Sequence, residues 1–95
     1  MQITMSSNTI TIVGNIKSVS DYQEIKIAVG NLIKEHKEIA VIIQDSLSIT
    51  SSVIGYFNKL VLKDSINVEM RVGNAQLMEL IEDLNLTSVF KARKI

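Results

Sequence analysis

The sequence predicts a single α/β domain over residues 1–95, with a mixed, mostly parallel sheet, an N-terminal hairpin and three main helices in the order ββαβαβαβ. Three observations support this prediction. The chain opens with two segments of alternating apolar and polar residues joined by turn residues. Strand-like and helix-like apolar periodicities then alternate, which indicates parallel strands with right-handed crossovers. A continuous apolar run at residues 39–43 is typical of a strand covered on both faces.

The first three elements follow from local pattern. Residues 2–5 and 9–13 are rich in Thr, Ile and Val, and polar and apolar side chains alternate almost perfectly along them. The Ser-Ser-Asn between them is typical of a turn, so we predict a β-hairpin. Gly14 ends this pattern, and Ser18 with the acidic residues that follow predicts the start of the first helix. Its apolar positions recur at helical spacing, and cationic side chains follow near its end: Tyr22, Ile25, Val29, Leu32 and Ile33, then Lys34, His36 and Lys37.

The apolar run at residues 39–43 is predicted to be the central, fully buried strand. It is too short for a helix, and both of its faces are apolar. We therefore expect Ile42→Ala and Ile43→Ala each to lower the free energy of unfolding by about 2–5 kcal/mol.

The second half of the chain repeats the alternation. A second helix is predicted from Ser51 or Ser52, with overlapping apolar stripes, and residues 66–72 then alternate as a half-buried strand. Gly73 and Asn74 are predicted to cap a third helix, whose inward positions are predicted to be Leu77, Leu80, Ile81 and Leu84. Asn85 suits the left-handed position that ends a helix, and residues 89–95 are predicted to form a last short strand.

Composition limits the functional classes. Ten basic and ten acidic residues cancel, so we expect no nucleic-acid partner. The absence of cysteine and the single histidine leave few ligands for a metal, and we expect neither a metal nor a cofactor. The first residues lack the pattern of a signal peptide, and no apolar stretch has the length of a membrane span. We expect a cytoplasmic protein that does not insert into membranes.

The most informative segment is the hydroxyl-rich turn at residues 45–52, which follows the central strand and opens into the second helix. A helix N-terminus presents unpaired N–H groups and partial positive charge, so Ser51 there is suited to carry a phosphate. Ser51 and Ser52 are equally suited to be ordinary helix caps. The segment just before this helix, with Asp45, Ser46 and Ser48, has two possible interpretations. It is either a second loop that faces a phosphate or a metal, or a simple turn stabilised by its own side chains.

The sequence offers no set of residues that could act together as nucleophile, base and orienting group. The carboxylates Glu79, Glu82 and Asp83 lie on one helical face, where a solvated role is expected, and His36 is expected to be solvated near the end of the first helix. There is no glycine-rich phosphate loop. We do not expect an enzyme.

Three segments carry a resemblance to a known family: GNIKSVS at residues 14–20, ITSSVIG at residues 49–55 and LMELIEDLNL at residues 77–86. They resemble the STAS domain family, which includes anti-sigma-factor antagonists, bacterial stressosome scaffold proteins and the C-terminal domains of sulfate transporters. The resemblance covers the whole element order. Thr50 stands where the family usually has Asp, Val53 where it usually has Gly, and Asn85 replaces a closing Gly.

The resemblance implies a small regulatory interaction domain that binds an anti-sigma-factor kinase or a related switch protein. It implies that Ser51 is the phosphoacceptor and that the surrounding turn and second helix bind the partner, through Ser46, Ser48, Thr50, Ser52, Val53 and Tyr56. Tyr56 or Val53 is then expected to be partly exposed as an apolar anchor. The alternative is an unphosphorylated STAS subunit or scaffold of a lipid-transport ATPase or stressosome-like assembly. A weak homodimer is left open.

Overall fold

The computed structural model describes residues 1–95 and confirms an α/β domain. Its elements are β1 (Gln2–Ser6), β2 (Thr9–Val13), α1 (Val19–Leu32), β3 (Glu38–Gln44), α2 (Ser51–Leu62), β4 (Asn67–Val72), α3 (Ala75–Asp83), α4 (Thr87–Phe90) and β5 (Arg93–Lys94). The longest helix has 14 residues. None of the helices has the length and apolar character needed to cross a bilayer.

The five strands lie in the sheet in the order in which they occur in the chain. β1 is antiparallel to β2, and the other neighbours are parallel. Because every crossover from β2 onward is expected to be right-handed and steps in the same direction, all of the helices lie over one face of the sheet. The other face has no helix above it.

Burial along the strands agrees with this one-sided arrangement. The residues directed toward the helices are fully or almost fully buried: Ile10, Ile12, Ile39, Val41, Ile43, Val68, Met70 and Val72. The intervening residues of the same strands are half-buried or exposed. The alternation predicted for residues 66–72 is confirmed.

The prediction that β3 is buried on both faces is wrong. β3 is the central strand, but Ala40 and Ile42 on the open face are half-buried. Their neighbours in the sheet shield them partly, including Thr11 beside Ile42. A continuous apolar run cannot distinguish a strand covered twice from one covered once, since that depends on strand order.

The start of α1 agrees with the sequence prediction. Ser18 is the N-cap, and the Ser18 hydroxyl accepts a hydrogen bond from the Asp21 N–H at 3.0 Å. The Asp21 carboxylate accepts bonds from the N–H groups of Lys17 and Ser18 at 3.0 and 3.2 Å. The bond from Lys17 is the main reason that the pKa of Asp21 lies below its usual value. α1 ends before the cationic cluster, so its last turn carries no basic residue.

The C-terminal region departs from the prediction in two ways. Leu84 is exposed rather than inward, because α3 ends there in a Schellman motif with Asn85 in the left-handed conformation. The N–H groups of Asn85 and Leu86 bond to the carbonyls of Glu82 and Ile81 at 3.0 and 3.1 Å.

The prediction that residues 89–95 form a last short strand is wrong for most of that segment. Val89 and Phe90 belong to α4, and β5 has only two residues. The helical turn directs Phe90 into the core, where its ring meets the Phe57 ring edge-on at 6.3 Å between centroids. This aromatic contact is long-range and cannot be recognised from local alternation.

The one-sided sheet predicts different costs for two adjacent isoleucines. Ile43→Ala should lower the free energy of unfolding by about 2–5 kcal/mol because it leaves a cavity in the core. Ile42→Ala is the matched control, and we expect a loss of about 1–2 kcal/mol because its side chain lies on the open face. Urea denaturation of both variants measures the difference. Equal losses would contradict the one-sided core.

Candidate functional site

The carboxyl ends of β2, β3 and β4 meet at one edge of the sheet, and α1, α2 and α3 begin there. Helix N-termini and the carboxyl ends of parallel strands are the usual location of binding sites in α/β domains. The hydroxyl-rich turn predicted from the sequence lies at this edge, between the end of β3 and the start of α2.

Two loops at this edge are bonded to each other, and we call residues 14–18 and 45–50 the paired loops. The Ile16 N–H donates to the Ser46 hydroxyl at 3.3 Å, and the Ser48 hydroxyl donates to the Ile16 carbonyl at 3.0 Å. The Leu47 N–H donates to the Asn15 side-chain oxygen at 2.9 Å. The start of α2 is therefore held against the loop that leads to α1.

Ser46 is fully buried and is the only buried polar residue of the chain. Its hydroxyl also donates to the Ser48 carbonyl at 2.7 Å. Of the hydroxyls predicted to contact a partner, those of Ser46 and Ser48 are thus engaged within the fold. The structure gives them a role in holding the paired loops, which local sequence cannot reveal because the bonds join positions about 30 residues apart.

The cap of α2 is Thr50, and neither Ser51 nor Ser52 supplies it. The Thr50 hydroxyl accepts the bond from the Val53 N–H at 3.3 Å. Ser51 and Ser52 are the first two residues of the helix, and both are exposed. Thr50 therefore supplies the cap, and the two hydroxyls of Ser51 and Ser52 remain available at the first turn.

The expectation of an exposed apolar anchor at Val53 or Tyr56 is wrong. Val53 is completely buried, and Tyr56 is 9% exposed. The Tyr56 ring packs against Tyr22 and Phe57, with centroids 6.5 and 5.7 Å apart. Both residues lie on the stripe of α2 that faces the core, so neither can serve as an anchor without rearrangement. The bulk of Val53 does not project into solvent near Ser51.

The exposed surface of α2 lies on the opposite side of the helix. Beyond Ser51 and Ser52 it continues through a shallow cavity of about 370 Å³, lined by Gly55, Asn58, Lys59, Leu62 and Lys63. The Leu62 side chain is 67% exposed, and a methyl group added at Gly55 would meet no atom within 4 Å. The sequence prediction missed this surface because it took the two overlapping apolar stripes as the sign of an exposed anchor.

Leu47 is an exposed apolar side chain at this edge of the sheet, at 55%. Its backbone is held by Asn15, so the side chain is presented on an ordered loop. Leu47 and the first turn of α2 form a surface of one apolar group and two hydroxyls. Such a surface is suited to contact a protein.

The remaining titratable residues do not converge. Glu79, Glu82 and Asp83 are exposed on α3, as predicted. No group of three His, Asp or Glu side chains in the fold is close enough together to hold a metal ion.

Comparisons of the chain with protein-family models, curated proteins and solved structures found no match. The STAS resemblance therefore remains a hypothesis based on the three sequence segments.

The paired loops predict a specific effect of removing the Ser46 hydroxyl. Ser46→Ala should lower the free energy of unfolding by about 1–3 kcal/mol, since the buried Ile16 N–H loses its partner. Ser52→Ala is the control, and we expect a change within about 0.5 kcal/mol because that hydroxyl is exposed. Thermal and urea unfolding measure both. An equal, negligible effect of the two variants would show that the paired loops do not contribute to stability.

The buried phenol of Tyr56 predicts a loss of stability at alkaline pH. Burial raises its pKa above 10.0, because the folded state disfavours the phenolate. The unfolded chain therefore releases this proton first, and stability falls as pH rises above about 10.

We expect Tyr56→Phe to show a shallower alkaline loss than the unmodified protein in urea unfolding measured as a function of pH. At neutral pH its stability should lie within about 1 kcal/mol of the unmodified protein, because the bond from the Tyr56 hydroxyl to the Lys26 carbonyl is long, at 3.5 Å. Tyr22→Phe is the control and should retain most of the loss, since the burial of Tyr56, the main cause of its raised pKa, is unchanged and only the smaller contribution of Tyr22 is removed. Parallel pH profiles for all three proteins would refute the assignment.

Proposed function

We propose that this chain is a STAS-like regulatory interaction domain that binds a protein partner through the start and exposed face of α2, as anti-sigma-factor antagonists do. The proposed partner is an anti-sigma-factor kinase or a related switch protein, and the proposed control is a phosphate on Ser51. The observation that carries the proposal is the separation of two tasks at this helix start. Thr50 caps the helix, and the exposed Ser51 hydroxyl is not needed for the cap.

This separation suits a switch for a thermodynamic reason. A phosphate on Ser51 would add about −1.5 to −2 charges at the positive end of the helix dipole, where the free domain tolerates it well. The cap would be unaffected, because Thr50 supplies it. The phosphate would instead weaken binding to the partner, because the dianion must lose its water at the interface and no cation of the partner would lie opposite it.

The proposed contact surface is the exposed face of α2 together with Leu47. Lys63 gives the far end of this face positive charge, Lys59 lies beside it in an ion pair with Asp64 at 3.5 Å, and Leu62 supplies an exposed apolar group. A partner with acidic residues opposite these lysines would complement it. Ser46, Ser48, Val53 and Tyr56 would support this surface from within rather than contact the partner.

A second candidate is an unphosphorylated subunit or scaffold, similar to the STAS component of a lipid-transport ATPase or stressosome-like assembly. It is favoured by Thr50, because the acidic residue that the family usually has before the serine is absent. In that role the same face of α2 would be a permanent contact, and Ser51 would never carry phosphate.

Substitutions at Ser51 separate the two candidates. Ser51→Asp should weaken binding to an anti-sigma-factor kinase at least about tenfold, equivalent to about 1.4 kcal/mol, whereas Ser51→Ala should bind normally and resist modification. The measurements are calorimetric titration and mass spectrometry after incubation with the kinase and ATP. Ser52→Asp is the matched control, since its side chain points about 100° away around the helix.

Both aspartate variants should unfold at or slightly above the temperature of the unmodified protein, because a negative charge in the first turn is favourable. Weaker binding by Ser51→Asp can then not be attributed to unfolding. An unmodified Ser51, together with unchanged affinity of Ser51→Asp, would reject the phosphoswitch and favour the scaffold. Absence of binding to any such kinase by all variants would reject the antagonist role.

A further inference from the structure

The two edges of the sheet differ in how they are protected from pairing with another strand. β5 has only two residues, Arg93 and Lys94, and its shortness and positive charge are both common protections of an edge. β1 has five residues, QITMS, with no charge and no proline. Four of the five are exposed and the fifth is half-buried. β1 is therefore an open template for a further strand.

The backbone groups available on β1 follow from the hairpin register. Ser6 pairs with Thr9 across the two-residue turn, so this pair exchanges its hydrogen bonds within the hairpin. Because such pairs alternate in an antiparallel ladder, Gln2 and Thr4 also bond to β2. Ile3 and Met5 then direct their N–H and carbonyl groups outward, to the free edge.

The sequence of β1 is self-complementary about Thr4. When a second β1 lies antiparallel with the two Thr4 residues opposite each other, Ile3 of each copy faces Met5 of the other, and Gln2 faces Ser6. The Ile3–Met5 pairs are the ones with outward backbone groups, so this register forms about four hydrogen bonds between the strands. The alignment places apolar beside apolar and polar beside polar residues.

The side chains of Ile3 and Met5 lie on the face of the sheet where a groove leaves space for a second copy of the strand. Ile3 and Met5 lie opposite Ile12 and Ile10, so they are on the helix-covered side of the sheet. Met5 is nevertheless 49% exposed, and a groove of about 200 Å³ lies beside it against the end of α1. Ile3 of a second copy would lie against Met5 at this groove. A two-fold axis perpendicular to the sheet keeps the helices of both copies on the same face.

We propose that β1 is a homotypic docking edge, through which two copies of this chain form a continuous ten-stranded sheet across a Thr4–Thr4 axis. The zero net charge of the chain opposes this association less than a large net charge would. The strand is short and its interface small, so the dimer is weak and reversible. The edge is separate from the surface proposed for the partner, so binding of the partner and pairing of β1 are independent.

Cysteine cross-linking tests the register directly, because the chain contains no cysteine. In the proposed dimer the two Thr4 residues form a non-hydrogen-bonded pair, whose Cα atoms are about 4.5 Å apart, within disulfide reach. The two Ser6 residues would be about 14 Å apart, beyond that reach. Thr4→Cys should therefore give at least about tenfold more disulfide dimer than Ser6→Cys under mild oxidation at the same protein concentration.

Charge pairs provide a second test. In Gln2→Lys/Ser6→Glu each new lysine faces a new glutamate across the axis, and in Gln2→Lys/Ser6→Lys like charges face each other. Sedimentation equilibrium between about 10 µM and 1 mM should show the first variant dimerising about tenfold or more tightly than the second. Circular dichroism should show that all variants retain the fold, since these positions are exposed.

Three outcomes would overturn the proposal. Thr4→Cys and Ser6→Cys could cross-link equally, which would indicate random collision. The unmodified protein could sediment as a monomer over the whole range, which would assign the edge to another occupant or to none. The two charge variants could have equal dissociation constants, which would place the contact elsewhere or in another register.

Discussion

Each strand of this protein lies beside the strand that follows it in the chain, and this order determines the rest of the structure. Because right-handed crossovers in one direction place every helix over the same face, the core is a single layer between sheet and helices. The carboxyl ends of the parallel strands and the starts of three helices then meet at one edge. The same order leaves one sheet face open and places β1 and β5 at the two margins.

The paired loops show how the fold prepares a surface without using its most prominent residues. Ser46 and Ser48 hold the loop before α2, and Thr50 caps the helix. These three hydroxyls are committed to structure. The hydroxyls of Ser51 and Ser52 remain exposed. The proposed partner surface therefore consists of groups that take no part in the hydrogen bonds within the fold.

Much of the fold could be predicted from the sequence because its signals are local. The caps at Ser18 and Asn74 and the left-handed Asn85 depend on neighbouring residues, and the structure agrees with each. The predictions that were wrong depended on distant contacts. Residues 39–43 have the same pattern whether one face or two are covered, and Phe90 lies in a helical turn whose contact with the Phe57 ring joins distant parts of the chain.

The same distinction applies to the candidate site. A run of hydroxyls at a helix start is visible in the sequence, but which hydroxyl caps the helix and which is buried depends on the loop from residue 14. The sequence predicts that Tyr56 or Val53 is partly exposed as the apolar anchor of a docking surface, because the apolar stripe of α2 is wide enough to cover both core and surface. Tyr56 faces the core instead, where its ring packs against Tyr22 of α1, a residue that only the fold brings beside it.

Sequential strand order also has a consequence for the rate of folding. Every sheet pairing joins neighbouring strands, so each can form by closing a loop of one hairpin or one crossover rather than by bringing together the ends of the chain. The two-residue turn of the hairpin is the shortest of these loops and costs the least entropy to close, whereas each of the three parallel crossovers closes a longer one. The chain contains no proline, which removes the isomerisation step that slows many small domains. Its refolding should therefore lack a proline-limited phase, with the hairpin closing first and the parallel pairings, which join residues 22 to 31 apart, forming more slowly afterwards.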